Sequence, residues 1–389
     1  MRQLRKNILH IASFNGNIGD NASHNGFYSQ IQTACKWETF VEQREIRKTY
    51  LNYEAADRWH WNEQLINDIN DKDLTVIGGG NYFELWLDKS ATGTTIDLPP
   101  QLLKNVTKPL FFNAVGCDPN IGVSNQSVNH FRQFLDSALA HPMCLVSVRN
   151  DGSSKYLKRY VGEKYSNHIL VTPDPGFFIV PGEVPLPQSL QHKTYWIINL
   201  AIDRPERRFP GTEGKLNYEE FLNEVMDLVC QACDLYPEIE IVLTPHIYSD
   251  LSPIRDLMER LPDAIRRWRV SVAPLLHGMG SEQTIFRLYQ GAQLTFGMRF
   301  HANVCPIGLG TPSIGLATTE KLFDLYEELE MPDRVVDAQV PGFAQQALNL
   351  ADSSLRNHQN IHAKYLLIKE KLHHQAQTTY QKMAKLTGS

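Results

Sequence analysis

Short apolar runs recur along the chain, each closing on a turn-rich segment, with stretches of helical period between them. The clearest are Ile8–Phe14, Leu74–Ile77, Leu110–Val115, Leu145–Val148 and Ile169–Val171. After a break come Tyr195–Leu200, Ile239–Leu243, Val270–Val272, Leu294–Phe296 and Ser313–Leu316. These runs do not alternate with polar residues, the pattern of strands buried on both faces of a parallel sheet. Asn217–Leu235 and Ser281–Gln290 read as helices, and strand–helix alternation builds βαβ units. The break, Asp174–Gln191, is rich in Pro and Gly and reads as a connection between domains. The pattern predicts two doubly wound parallel-sheet α/β domains facing across a cleft, over residues 1–183 and 184–342. A helical tail over 343–389 is expected to pack back on the body through Leu348, Ile361, Leu366 and Leu367. Sites in such folds lie in loops at the carboxyl ends of strands.

Composition narrows the function classes. The 389 residues exceed what one hydrophobic core usually organises. A formal net charge of −5 speaks against a surface that holds nucleic acid by counterion release, so no nucleic-acid partner is expected. A local basic pocket is still compatible with it. The first apolar run is short, contains His10 and enters a Gly-Asn loop, which fits a buried strand better than a cleaved leader. No run approaches the ~18 residues of a membrane helix. Six scattered cysteines make no disulfide framework, and Cys230-x-x-Cys233 reads as core thiols in a helix. A cytoplasmic protein with reduced thiols is expected, with no transmembrane segment and no metal. Self-association into a homo-oligomer stays open.

Four segments carry candidate chemistry. Leu294–Ala302 (LTFGMRFHA) reads as strand, tight turn at Gly297 and helix start near His301. Arg299 could hold an anion beside the positive end of that helix, and His301 could deliver a proton to it. Equally, Arg299 could cap a neighbouring helix and His301 be a hydrogen-bonded structural residue. Asn15–Ala22 (NGNIGDNA) follows the first strand. It is either a structural turn or a ligand loop through Asn17, Gly19 and Asp20, with Asp20 capping the next helix. It has neither dinucleotide nor P-loop spacing. Gly78–Gly80 with Asn81 (VIGGGN) means backbone crowding or a close ligand, the ligand being favoured at a strand's carboxyl end. Arg149 in VSVRND stands at another strand end, with Asp151 able to orient it or cap a helix. His246, after a strand in the second half, is a further candidate.

In order along the chain, these segments resemble the polysaccharide pyruvyltransferase family, with its G-N-x-G-D loop, G-G-G turn, S-V-R-D segment and G-M-R-x-H segment. They stand here as Gly16–Asp20, Gly78–Gly80, Ser147–Asp151 and Gly297–His301, spanning roughly residues 8 to 330. The chain departs from the pattern at Asn21, at Asn150, and at Thr318–Glu320 before Lys321. The resemblance implies two Rossmann-like domains in a glycosyltransferase-B-like arrangement. It implies transfer of pyruvate from phosphoenolpyruvate, a co-substrate with no further cofactor, to a sugar acceptor, free or lipid-linked. It suggests His301 as general acid, Arg299 and Arg149 holding the donor, and Lys321 among the substrate contacts. Replacing either arginine is then expected to weaken donor binding and leave folding nearly intact. The rival readings are a nucleotide-sugar glycosyltransferase and a non-catalytic carbohydrate-binding relative.

Overall fold

A computed structural model describes residues 4–278 and 280–388 of the chain. Every apolar run named above overlaps a strand. The strands are β1 (Leu4–Ala12), β2 (Trp37–Glu45), β3 (Leu74–Gly78), β4 (Leu110–Val115), β5 (Cys144–Val148) and β6 (Leu170–Val171). They continue with β7 (Thr194–Asn199), β8 (Ile239–Leu243), β9 (Val270–Val272), β10 (Leu294–Gly297), β11 (Ser313–Ala317) and β12 (Val335–Asp337). Two six-stranded sheets result, in the orders β2-β1-β3-β4-β5-β6 and β12-β11-β10-β7-β8-β9. Each neighbouring pair is parallel.

The sequence pattern did not signal β2 and β12, and both are edge strands. β2 reads WETFVEQRE and buries little beyond Trp37, as suits a strand with one neighbour and a wet face. β12 is only three residues long. Helix Tyr218–Leu235 starts as its sequence dictates. Asn217 and Glu220 form a reciprocal capping box, and Phe221, Leu222, Val225, Leu228, Val229 and Ala232 bury one face.

By internal contacts the chain divides into two compact units, residues 1–14, 23–175 and 371–389 in one, and 15–22 with 176–370 in the other. This differs from the expected bounds in three places, although the division lies inside the Asp174–Gln191 break. The division falls after Pro175 rather than at 183, because Phe177 lies against Gly308 and Ile179 joins the second unit's core. Residues 15–22 belong to the second unit because Ile18 and Ala22 are buried among Tyr195, Ile285, Tyr289, Ala302 and Cys305. The tail is no unit of its own. Helix Phe343–Arg356 packs Phe343, Ala347, Leu348 and Ala351 into the second unit, and helix His358–Leu386 is shared out at residue 370. Of the expected stripe Leu348 is buried and Ile361 half-buried, but Leu366 and Leu367 are exposed. The buried positions are instead Tyr365, Leu372, Ala376, Tyr380 and Met383, which follow the helical period more closely.

Candidate active site

In the second unit, β10 ends at Gly297 and helix His301–Leu309 begins at His301. The turn is tight because Gly297 has no side chain. A Cβ there would lie 2.7 Å from the Ala302 carbonyl oxygen and from Asn303 Nδ2. Asn199, at the end of β7, clamps it. Its Oδ1 accepts the Arg299 N–H (3.0 Å) and its Nδ2 donates to the Thr244 carbonyl (2.7 Å). Asn303 closes the other side, donating to the carbonyls of Gly297 (3.0 Å) and Arg299 (2.8 Å). His301 is therefore held by backbone on both sides, as the first residue of a helix whose dipole favours negative charge in front of it.

The Arg299 side chain, expected to hold the donor or to cap a neighbouring helix, is engaged by two carboxylates. Its Nε donates to Asp250 Oδ2 (2.7 Å), and its Nη2 donates to Asp250 Oδ1 and to Asp203 Oδ1 (2.8 Å). Only Nη1 makes no hydrogen bond among the described residues. Asp250 is fully buried and also accepts the N–H groups of His246 (2.9 Å) and Ile247 (3.2 Å). Burial works against the Arg299 charge, but the two carboxylates outweigh it and keep the guanidinium protonated. Burial likewise pushes the Asp203 carboxyl up, while Arg299 and Arg208 outweigh that and hold it below its ordinary range. His246 is buried and shares a hydrogen bond with the Tyr289 hydroxyl (2.7 Å). Burial first, then Arg299 and His301, push it well below the ordinary imidazole value of 6.5, so it is neutral near pH 7.

The Gly-Asn loop reaches the same place. The His246 carbonyl accepts the N–H of Ile18, the first residue of helix Ile18–Cys35. Asn17, just before that helix, accepts the Gly19 N–H (2.9 Å). This corrects the expectation that Asp20 caps the helix: Asp20 lies inside its first turn. Gly19 meets the His301 ring face on its bare side. A Cβ there would overlap Nδ1 and stand 2.9 Å from Cγ. Lys321, buried in the first turn of helix Glu320–Glu328, sets its ammonium 5.1 Å from the Phe300 ring centroid. The second unit thus gathers Asn17, Gly19, Asp20, His246, Arg299, His301 and Lys321.

The first unit gathers the remainder. Arg149 is buried at the end of β5. Its Nε donates to Asp151 Oδ2 (2.6 Å), its Nη1 to Asp174 Oδ2 (3.0 Å) and its Nη2 to Asn81 Oδ1. Asp151 both orients Arg149 and accepts the Ser153 N–H (3.2 Å). Asn150 accepts the Asp174 N–H (2.8 Å), so the extra residue in SVRND has a structural job. The Arg149 fork, expected to hold the donor, is engaged by Asp151, Asp174 and Asn81, as that of Arg299 is by its own carboxylates. Of the two readings of the triple glycine, backbone crowding is the one the structure displays. A Cβ at Gly78 would strike Asn113, one at Gly79 the His24 ring, and one at Gly80 the Tyr82 ring. The crowding comes from the Asn113 backbone carbonyl at Gly78 and from side-chain rings at Gly79 and Gly80.

The family model for polysaccharide pyruvyl transferase matches residues 2–320. The chain belongs to that family. No curated protein matches it by sequence. Among solved structures, a UDP-N-acetylglucosamine 2-epimerase from Listeria monocytogenes superposes with TM-score 0.56 at 11% identity, covering 94% of this chain and 91% of its own. An S. aureus MnaA–UDP co-structure gives 0.53 at 12%, covering 96% and 90%. The UDP-GlcNAc 2-epimerase from Neisseria meningitidis bound to UDP-GlcNAc gives 0.51 at 11%, covering 92% and 94%. At such identities the likeness is one of fold: two Rossmann-like domains of glycosyltransferase-B-like type.

Sequence reasoning on this polysaccharide pyruvyl transferase family member missed Asn199, Asp203, Asp250 and Gly116. Asn199, Asp203 and Asp250 lie at or just past the carboxyl ends of β7 and β8, where a short polar side chain is a signal. Gly116 follows β4. A Cβ on it would strike Asn81 Oδ1 and come within 3.0 Å of Arg149 Nε, so the first unit's cluster needs a glycine there.

Proposed function

We propose that this family member transfers the pyruvyl group of phosphoenolpyruvate to two hydroxyls of a sugar, forming a cyclic ketal, with His301 as the proton donor. Beyond family membership, the observation that carries this reading is the place of His301. It opens one helix while its ring lies on the first turn of another, at Gly19. Two helix N-termini favour an anion there, and a histidine is the side chain suited to moving a proton near neutral pH. Arg299 can add only Nη1, the rest of its fork being committed to Asp250 and Asp203.

In this reading His301 protonates the methylene carbon, and C2 becomes electrophilic as the enol double bond is consumed. One sugar hydroxyl attacks C2 and loses its proton. The second hydroxyl displaces phosphate, the C2–O bond to phosphate breaking as the second C–O bond forms; of the two hydroxyl protons, one returns to the imidazole and the other leaves on the phosphate. The reading invokes no cofactor beyond the donor. The free state of the cysteines and the lack of any helix, among the described residues, long and apolar enough to cross a membrane support a cytoplasmic setting.

The test is incubation with phosphoenolpyruvate and a panel of free and lipid-linked saccharides, following phosphate and the new ketal methyl signal. Phosphate released only with a saccharide present is expected. Thermal protection by nucleotide diphosphates but not phosphoenolpyruvate, with no phosphate released, would turn the assignment to a nucleotide-sugar glycosyltransferase.

Gly19→Ala is expected to lower turnover roughly tenfold to a hundredfold, because the new methyl displaces the His301 ring, and misplacement by ~1 Å can cost that much. The helix should persist, alanine being the better helix former. Steady-state phosphate release alongside circular dichroism measures both. Unchanged turnover would show that the ring's seat on Gly19 is irrelevant to the chemistry.

A further inference from the structure

We propose that Asp250 is a positioning residue for His301, an inference that rests on reading His301 as the proton donor. Asp250 is completely buried, so it does not touch substrate itself. Its two oxygens accept four hydrogen bonds, and these lead to both walls of the His301 seat. On one side, the Arg299 guanidinium is locked to it through Nε and Nη2, two residues before His301 on a turn whose backbone Asn199 clamps. On the other side, the N–H groups of His246 and Ile247 converge on Oδ2, and the His246 carbonyl in turn holds Ile18, next to Gly19. One carboxylate therefore fixes the turn that carries the imidazole and the helix start against which the imidazole rests.

Asp203 shares Arg299 but cannot substitute. It is a third exposed, it is divided between Arg299 and Arg208, and among the described residues it makes no hydrogen bond to the 246–247 loop. Only a carboxylate serves at 250. An asparagine would turn an amide NH₂ toward either the Arg299 fork or the two backbone N–H groups, putting donor against donor on one wall. A side chain that acts through a single linked chain of contacts is revealed by non-additivity.

The experiment compares Asp250→Asn, Arg299→Lys and the double variant with the unmodified protein. Each single change is expected to lower kcat about tenfold to a hundredfold, with KM for phosphoenolpyruvate within about threefold. The double should lose no more than the worse single, since both cut one link. A double whose loss equals the product of the singles, or singles that raise KM and spare kcat, would overturn the proposal. The His301 ring resonances, assigned by their absence in His301→Asn, give a readout that needs no turnover. They should move in both singles and no further in the double. Unmoved resonances overturn the proposal even if the unmodified protein proves inactive on phosphoenolpyruvate, a result that would instead count against the functional reading. Should Asp250→Asn fail to fold, Arg299→Lys keeps a cation on Asp250 and carries both readouts alone.

Discussion

His301→Asn is expected to slow phosphate release from phosphoenolpyruvate by about 10²–10⁴, the usual worth of a positioned general acid. Donor affinity should change little. Asparagine keeps a polar side chain of similar reach against Gly19, and the turn does not depend on the imidazole, since Asn199 and Asn303 clamp its backbone. The same assignment fixes the sign of the pH dependence. Only the imidazolium can protonate the methylene carbon, so activity of the unmodified protein should fall as pH rises through the donor's deprotonation, and the asparagine variant should lose that alkaline limb. His246 cannot take over the role. Burial, with Arg299 and His301 nearby, keeps it neutral, and its Nε2 is engaged by Tyr289. Steady-state kinetics between pH 5.5 and about 9 decide the matter. Near-normal turnover in His301→Asn would sink the assignment.

Much of this was legible in the chain, for reasons that differ by feature. Strands inside a parallel sheet announce themselves because both faces are buried, as in Leu110–Val115, all six residues of which are buried. β2 was silent because an edge strand need not be apolar. The position of His301 after a Gly-turned strand was readable because Gly297 and the following apolar helix leave few alternatives for the turn. What could not be read was which charges meet. Asp250 lies 49 residues from Arg299, and Asp174 lies 25 from Arg149. A sequence shows an arginine at a strand end equally well whether its fork faces a substrate or a buried carboxylate. The Gly-Asn loop went to the wrong unit for the same reason. Ile18 and Ala22 are apolar in any reading, but only the fold says whose core they enter.

Arg149→Ala is expected to destabilise the first unit by ~3–5 kcal/mol, the usual cost of leaving a buried charge uncompensated. Arg149, Asp151 and Asp174 are respectively 3%, 2% and 0% exposed, so water cannot screen the two carboxylates once the guanidinium is gone. Nor can the cavity collapse easily, because Gly116 and Asn81 pack directly on the arginine. For a domain of this size each kcal/mol moves the melting temperature by about 2–4 °C, which predicts a fall of roughly 6–20 °C. The physical cause is separable from simple loss of bulk. Arg149→Met combined with Asp151→Asn and Asp174→Asn removes the charges together, and should recover much of the lost stability that Arg149→Met alone does not. Thermal and urea unfolding of the set measures this. If Arg149→Ala melted within a few degrees of the unmodified protein while phosphoenolpyruvate affinity dropped, the guanidinium would be serving the ligand. With the stability loss observed, Arg149 is instead the counter-charge that lets two acidic residues sit at the ends of β5 and β6.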